Sequence, residues 1–278
     1  MTIPQTQLNH SAKPFLRWAG SKQQLIPTLS RYWDSSFSRY VEPFAGSASW
    51  FFSLSVTSAI LGDINRELML TYRQVKNHLP ELIQALGSMR KGKRNYLYWR
   101  GIQPTILAPP IRAARFIYLN RFCFNGLYRT NSDGIFNVPY NGGAGTIPSE
   151  DALNNCSKAL QKADLVTGGF EKTLEKVVSG DFVYLDPPFS VKAKRTFNEY
   201  DATVFSQDQL KLLREWMIKL DRKNISFLVS YADSEEGNFL SKSFYKETVQ
   251  VRRNIAGFAA NRRKAFEILI SNSSPRKT

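Results

Sequence analysis

Short apolar runs spaced by helix-length stretches constrain this chain more than any other feature. Residues 39–44 (RYVEPF), 59–61 (AIL), 182–185 (FVYL), 225–229 (ISFLV) and 265–270 (AFEILI) read as strands. Residues 49–55 (SWFFSLS) read as a buried helix. Residues 207–220 read as an amphipathic one, with Leu210, Leu213, Trp216, Met217 and Leu220 at a helical period. Strands separated by helices in this way predict an α/β fold, a mostly parallel sheet with helices on both faces. Ligands of such sheets bind at the carboxyl ends of the strands. Residues 42–46, Asp63 and residues 186–189 all follow strands.

From about residue 73 to residue 164 the alternation fades. Basic residues accumulate there, among them Arg90, Lys91, Lys93, Arg94 and Arg129, interleaved with aromatics such as Tyr96, Trp99 and Phe122. The turn sequence NSDG at residues 131–134 lies between residues 127–130 and 135–138 and predicts a β-hairpin. The expected division is therefore one domain from residues 1–72 and 165–278, with residues 73–164 inserted. The formal charge of +15 favours a polyanionic partner, nucleic acid first. A helical subdomain with a solvated basic face would carry similar charge.

Two cysteines, Cys123 and Cys156, and two histidines, His10 and His78, make no CxxC or HxxxH spacing, so neither a metal site nor a disulfide framework is expected. Residues 1–12 read as a loose polar arm without a signal-like apolar stretch. No apolar run nears the roughly 20 residues that span a bilayer. A soluble, cytoplasmic protein that does not bind membranes is the expectation.

The sequence Asp186-Pro187-Pro188-Phe189 suggests chemistry on an amine. An exocyclic base amine is a poor nucleophile because its lone pair is delocalised into the ring. A carboxylate from Asp186 and the Pro187 carbonyl, accepting both N–H bonds, would draw that nitrogen towards tetrahedral geometry. Phe189 offers a flat face for a base. An ordinary strand-end turn would read the same way. Residues 42–47 (EPFAGS) form a small-residue loop that lets the backbone approach a cofactor. They do not match G-x-G-x-x-G, and the chain has no G-x-x-x-x-G-K-[ST], which counts against NAD and ATP. Asp63, at a strand end, could hold a ribose.

Taken together, the motifs resemble the Dam family of DNA adenine-N6 methyltransferases. Residues 15–22 (FLRWAGSK) resemble that family's FLKWAGGK opening, residues 42–46 its EPFxG loop and residues 61–65 (LGDIN) its ADIN segment. NGLYR at 125–129 with FNVP at 136–139 resembles NGLxR…FNVP. YLDPPF at 184–189 resembles YxDPPY, and EILISN at 267–272 resembles ELLxxN.

The resemblance implies a Rossmann-like methyltransferase sheet with an inserted, mainly helical DNA-recognition domain carrying a β-hairpin. It implies S-adenosylmethionine as cofactor, bound by Trp18, Lys22, Phe44, Gly46, Asp63 and Asp186, with Asp186, Pro187 and Phe189 catalytic. Double-stranded DNA would be contacted by Arg17, Phe124, Asn125, Leu127, Arg129, Asn137 and Pro139, in GATC, with the adenine flipped out. A monomer is expected, with a dimer on DNA as the alternative. An N4-cytosine enzyme, or a homologue weakened in catalysis, would share much of this pattern. Four positions depart from it: Ala48 and Ser21 stand where the family has glycine, Phe189 where it has tyrosine and Arg17 where it has lysine.

Overall fold

Each apolar run becomes a strand because its alternate residues face two different cores. The computed structural model describes residues 12–131, 134–189, 205–252 and 264–276. Residues 1–11 of the expected arm and the turn residues Ser132 and Asp133 lie outside them, while Ala12, the arm's last residue, is buried. The strands are β1 (Arg39–Glu42), β2 (Ala59–Asp63), β3 (Ala163–Thr167), β4 (Asp181–Leu185), β5 (Ser226–Ala232), β6 (Tyr245–Arg252) and β7 (Lys264–Ser271). In β4, Phe182 and Tyr184 enter one core with Tyr40 and Trp50, while Val183 and Leu185 enter the other with Val41 and Ile60. A period of two on a strand apolar at every position buries both faces.

The described helices are α1 (Ile26–Leu29), α2 (Ser49–Ser53), α3 (Arg66–Asn77), α4 (Leu79–Ser88), α5 (Lys93–Gly101), α6 (Pro109–Phe122), α7 (Glu150–Leu160), α8 (Phe170–Leu174), α9 (Gln207–Arg222) and α10 (Glu235–Ser241). The sheet order is β3-β2-β1-β4-β5-β7-β6. The first five strands in that order are parallel, and β7 runs antiparallel to β5 and β6. The fold is a Rossmann-like α/β fold. From β1 the chain moves outward to β2 and β3, then returns to lay β4 on the other flank of β1. The crevice at the carboxyl ends of β1 and β4 is where such sheets hold ligands.

Between α3 and β3 the chain is mainly helical, and α6 packs on both α3 and α4. Two prolines start α6 at positions whose amides need no helical partner. The expected hairpin is an irregular antiparallel pairing, bridged at Thr130–Phe136 and Cys123–Tyr140. Side chains brace it from α5: the Tyr96 hydroxyl donates to the Val138 carbonyl at 2.8 Å. Strands β3 and β6, absent from the sequence reading, are the two edges of the sheet. Their residues (ADLVT and YKETVQVR) are polar at many positions, because an edge faces water on one side.

The departure at Ala48 falls where backbone geometry matters. Ala48 caps α2 in the left-handed region, at φ 48° and ψ 40°. Alanine there costs about 1 kcal/mol relative to glycine. Its methyl is buried, which returns about 0.8 kcal/mol. The two nearly cancel, so Ala48→Gly is expected to change unfolding free energy in urea by less than about 1 kcal/mol. A larger shift in either direction would mean that one of the two contributions is misjudged.

Candidate active site

At the carboxyl ends of β1, β2 and β4 lies a cavity of about 510 Å³. Such a volume falls in the range of small-molecule sites, roughly 300–1,000 Å³. Asp186 enters it directly after β4, and the Lys22 ammonium holds both of its carboxylate oxygens, at 2.7 and 2.9 Å. Lys22 is itself buried, is tied back to the Gly20 carbonyl at 3.0 Å, and lies 3.9 Å from Glu267. Burial pushes the Asp186 carboxyl above its usual range, and Lys22 draws it back. The Phe189 ring sits 5.3 Å from the same ammonium, with Tyr231 packed edge-on at 5.2 Å. Pro187 and Pro188 complete this wall.

Asp63 ends β2 and is fixed by its own loop. Its two oxygens accept the backbone amides of Asn65, at 2.8 Å, and Gly46, at 3.0 Å. Burial raises its pKa and these two amides oppose the rise. Gly46, at φ 47°, must be glycine, because a Cβ there would lie 2.9 Å from the Trp18 ring. Trp18 is thereby pressed onto the loop after β1. Its other neighbours are Tyr128, stacked at 6.0 Å, and Phe116, stacked at 6.5 Å. Phe44 lines the cavity and stacks on Phe170.

The second departure, Ser21, is accommodated by hydrogen bonding. Its hydroxyl meets that of Ser49 at 2.7 Å, and Ser49 meets Ser47 at 2.8 Å. The segment before α1 is so joined to the start of α2. Ser21 is not among the residues with positive φ, so a side chain there costs no backbone strain.

The hairpin residues singled out in the sequence gather on one side of this cavity. Phe124 and Leu127 are exposed, and Leu127 and Tyr128 line the cavity itself. Arg129 donates through Nε to the Asn137 side chain at 2.8 Å, so the two named residues act as a pair. The Phe124 amide donates to the Pro139 carbonyl at 2.8 Å. Asn125 adopts φ 54°, and Gly126 follows at φ 66°, where a Cβ would meet Arg17 Cβ at 2.4 Å. Arg17 is also held to α6 through Asn120, which bonds both its amide and its carbonyl.

Sequence reasoning placed Glu42 only within the candidate loop 42–46, with no role of its own, and gave Tyr128 and Trp50 no place in the site. All three line the cavity. Glu42 had a signal, as the first letter of EPFxG, whereas Tyr128 occupies the variable letter of NGLxR and had none.

Comparisons with known proteins show the family to which the chain belongs. A family model described as D12 class N6 adenine-specific DNA methyltransferase matches residues 18–255. The chain is 32% identical over 270 residues to "Type II methyltransferase M1.LlaDCHI" of Lactococcus lactis subsp. cremoris, covering 94% of this chain and 95% of that protein. It is 32% identical over 287 residues to "Type II methyltransferase M.MjaIII" of Methanocaldococcus jannaschii, covering 94% and 99%. It is 30% identical over 266 residues to "DNA adenine methylase" of Escherichia coli strain K12, covering 92% and 94%. Among the described residues no helix is long and apolar enough to cross a membrane. With the family model spanning most of the chain and relatives aligned nearly end to end, the protein belongs to the D12 class of N6 adenine-specific DNA methyltransferases.

Proposed function

We propose that the chain transfers a methyl group from S-adenosylmethionine to the adenine N6 of GATC in double-stranded DNA, acting on a base turned out of the helix. One observation carries this reading: the cavity that holds Asp186 is also lined by Leu127 and Tyr128 of the hairpin. A base leaving a duplex seated on the hairpin would have a short path to the carboxylate. The cofactor supplies an electrophilic methyl group. Trp18, Phe44 and Gly46 would hold its apolar parts, Asp63 its ribose and Lys22 its carboxylate. The Asp186 carboxylate and the Pro187 carbonyl accept hydrogen bonds from the two amine N–H groups, which localises the nitrogen lone pair. Phe189 supports the ring of the base, and Phe124 fills the space it leaves. Residues 73–164 serve as the recognition domain, and the rest of the chain as the catalytic one.

Asp186→Ala is expected to lower the transfer of labelled methyl to a GATC duplex by roughly 100-fold or more, with folding and DNA binding retained. A variant keeping a tenth of the wild-type rate would exclude Asp186 from the chemistry.

The pH profile offers a separate check on Lys22. Its charge favours the ionised form of Asp186, which otherwise lies high through burial. In Lys22→Gln the Asp186 pKa rises further, so activity that needs the carboxylate disappears at a higher pH. The acid limb of kcat/KM is expected to move upward. A shift downward, or none, would show that Lys22 does not tune Asp186.

Target choice rests on Arg129, whose fork suits O6 and N7 of guanine, with Asn137 fixing Nε. Arg17 stands against Gly126 and suits the first guanine, while Leu127 and Pro139 suit the thymine methyl. Arg129→Ala is expected to lose about 1–3 kcal/mol of discrimination at one base pair of the site. Uniform weakening on all sequences would instead make Arg129 a phosphate contact.

A further inference from the structure

Glu42 is the one carboxylate lining the cavity to which the described residues give neither an ion pair nor a backbone amide. It closes β1, is 4% exposed and faces the cavity, yet its Oε2 has no hydrogen-bond partner. The contrast with its neighbours is direct. Asp186 has the Lys22 ammonium on both oxygens, and Asp63 has two backbone amides. The groups facing Glu42 are Tyr40 on its own strand, Tyr184 and Asp186 on and after β4, Asp63 on β2, Tyr72 on α3 and Lys22 from the segment before α1. Only Lys22 among them is cationic, and it is committed to Asp186. A buried carboxylate with two other carboxylates nearby and no cation of its own is costly when ionised. The alternatives are a proton or a cationic ligand.

We propose that Glu42 is a further cofactor-binding group, protonated in the free enzyme and ionised against the positive charge of the bound cofactor, so that binding releases one proton. This rests on the reading of S-adenosylmethionine as the cofactor, which carries both a sulfonium and an ammonium. The proton passes from the Glu42 carboxyl to the buffer, and no bond other than O–H is broken. Burial places the Glu42 carboxyl well above its ordinary value, with Asp186 and Asp63 adding to the rise and Tyr40 and Lys22 opposing it. Because the free state holds the proton, affinity falls as pH drops and rises as pH climbs towards the free-state pKa.

The test is titration calorimetry of S-adenosylmethionine into the full chain, at one pH, in two buffers of different ionisation enthalpy. Repeating it from about pH 5.5 to 8 maps the linkage over the interval below and around a raised carboxyl pKa. The wild type is expected to release close to one proton at the acid end and less as pH rises. Glu42→Gln is expected to release none and to bind roughly ten-fold or more weakly, with a flattened pH dependence. Asp186→Asn removes a neighbouring negative charge and frees Lys22, so its release is expected to shrink and to move to lower pH without being replaced by a new one. Release unchanged in Glu42→Gln, or lost only in Asp186→Asn, would overturn the proposal. Wild-type binding with no release at any pH would overturn it without need of a variant. If Glu42→Gln does not fold, infrared difference spectra of the wild type take its place. Loss of a protonated-carboxyl C=O band on cofactor addition supports the proposal, and its absence refutes it. A wild type that binds no S-adenosylmethionine at all would instead reject the cofactor reading.

Discussion

The pairing of β1 with β4 decides where every other part of the site can stand. These strands are neighbours in space but are separated in sequence by the whole of the inserted region. Because they are parallel, their carboxyl ends emerge together, which brings the loop after Glu42 beside the loop after Leu185. The Arg39–Asp181 ion pair locks the opposite ends, with contacts of 2.7 and 3.1 Å between a half-buried guanidinium and a buried carboxylate. The helical insertion then has to leave and re-enter on the β2 and β3 side. That requirement places the hairpin over the same crevice rather than on a remote face.

Charge is divided within the molecule to suit two opposite partners. The chain as a whole carries +15, yet among the described residues three carboxylates and one lysine line its central cavity. A basic exterior raises the local concentration of a polyanion and speeds encounter. Left uniform, the same field would repel a cation, and S-adenosylmethionine, the cofactor proposed above, is one. The acidic lining reverses the sign locally, and low-dielectric walls such as Trp50 and Tyr184, packed edge to face at 4.8 Å, limit screening by solvent. The separation works because the carboxylates sit at strand ends in the sheet, whereas the basic residues among those described lie mostly on surface helices and loops.

How much could be read from the sequence follows from the same physics. Central strands were legible because burial on both faces leaves an unbroken apolar run, as in FVYL at 182–185. Edge strands β3 and β6 were not, since water on one side permits Asp164, Lys246 and Glu247 within them. Residues at strand ends, Asp63 and Asp186, were legible because strand ends are where sheets of this type bind ligands. Tyr128 was opaque. Its role comes from stacking on Trp18, more than a hundred residues earlier in the chain, and no local pattern encodes such a contact. The positive φ of Ala48 was open in the sequence, where the residue type argued against it, and only the backbone decided the matter.

The stack of Trp18 on Tyr128 and Phe116 has a wider consequence for how the two halves of the protein meet. Trp18 touches the loop after β1 on one side through Gly46, and on the other side it meets one residue of the hairpin and one of α6. The Tyr128 hydroxyl also feels the charges of the ion pair that joins Arg112 of α6 to Glu67 of α3. Aromatic pairs of this kind contribute about 0.5–1.5 kcal/mol beyond their buried area. Two such contacts and one ion pair are modest against folding as a whole, but they fall where strand-end loops and the hairpin line the same cavity. The site is therefore built across the boundary between the two parts of the chain, and its shape depends on a rigid aromatic contact there. Neither part alone completes the cavity.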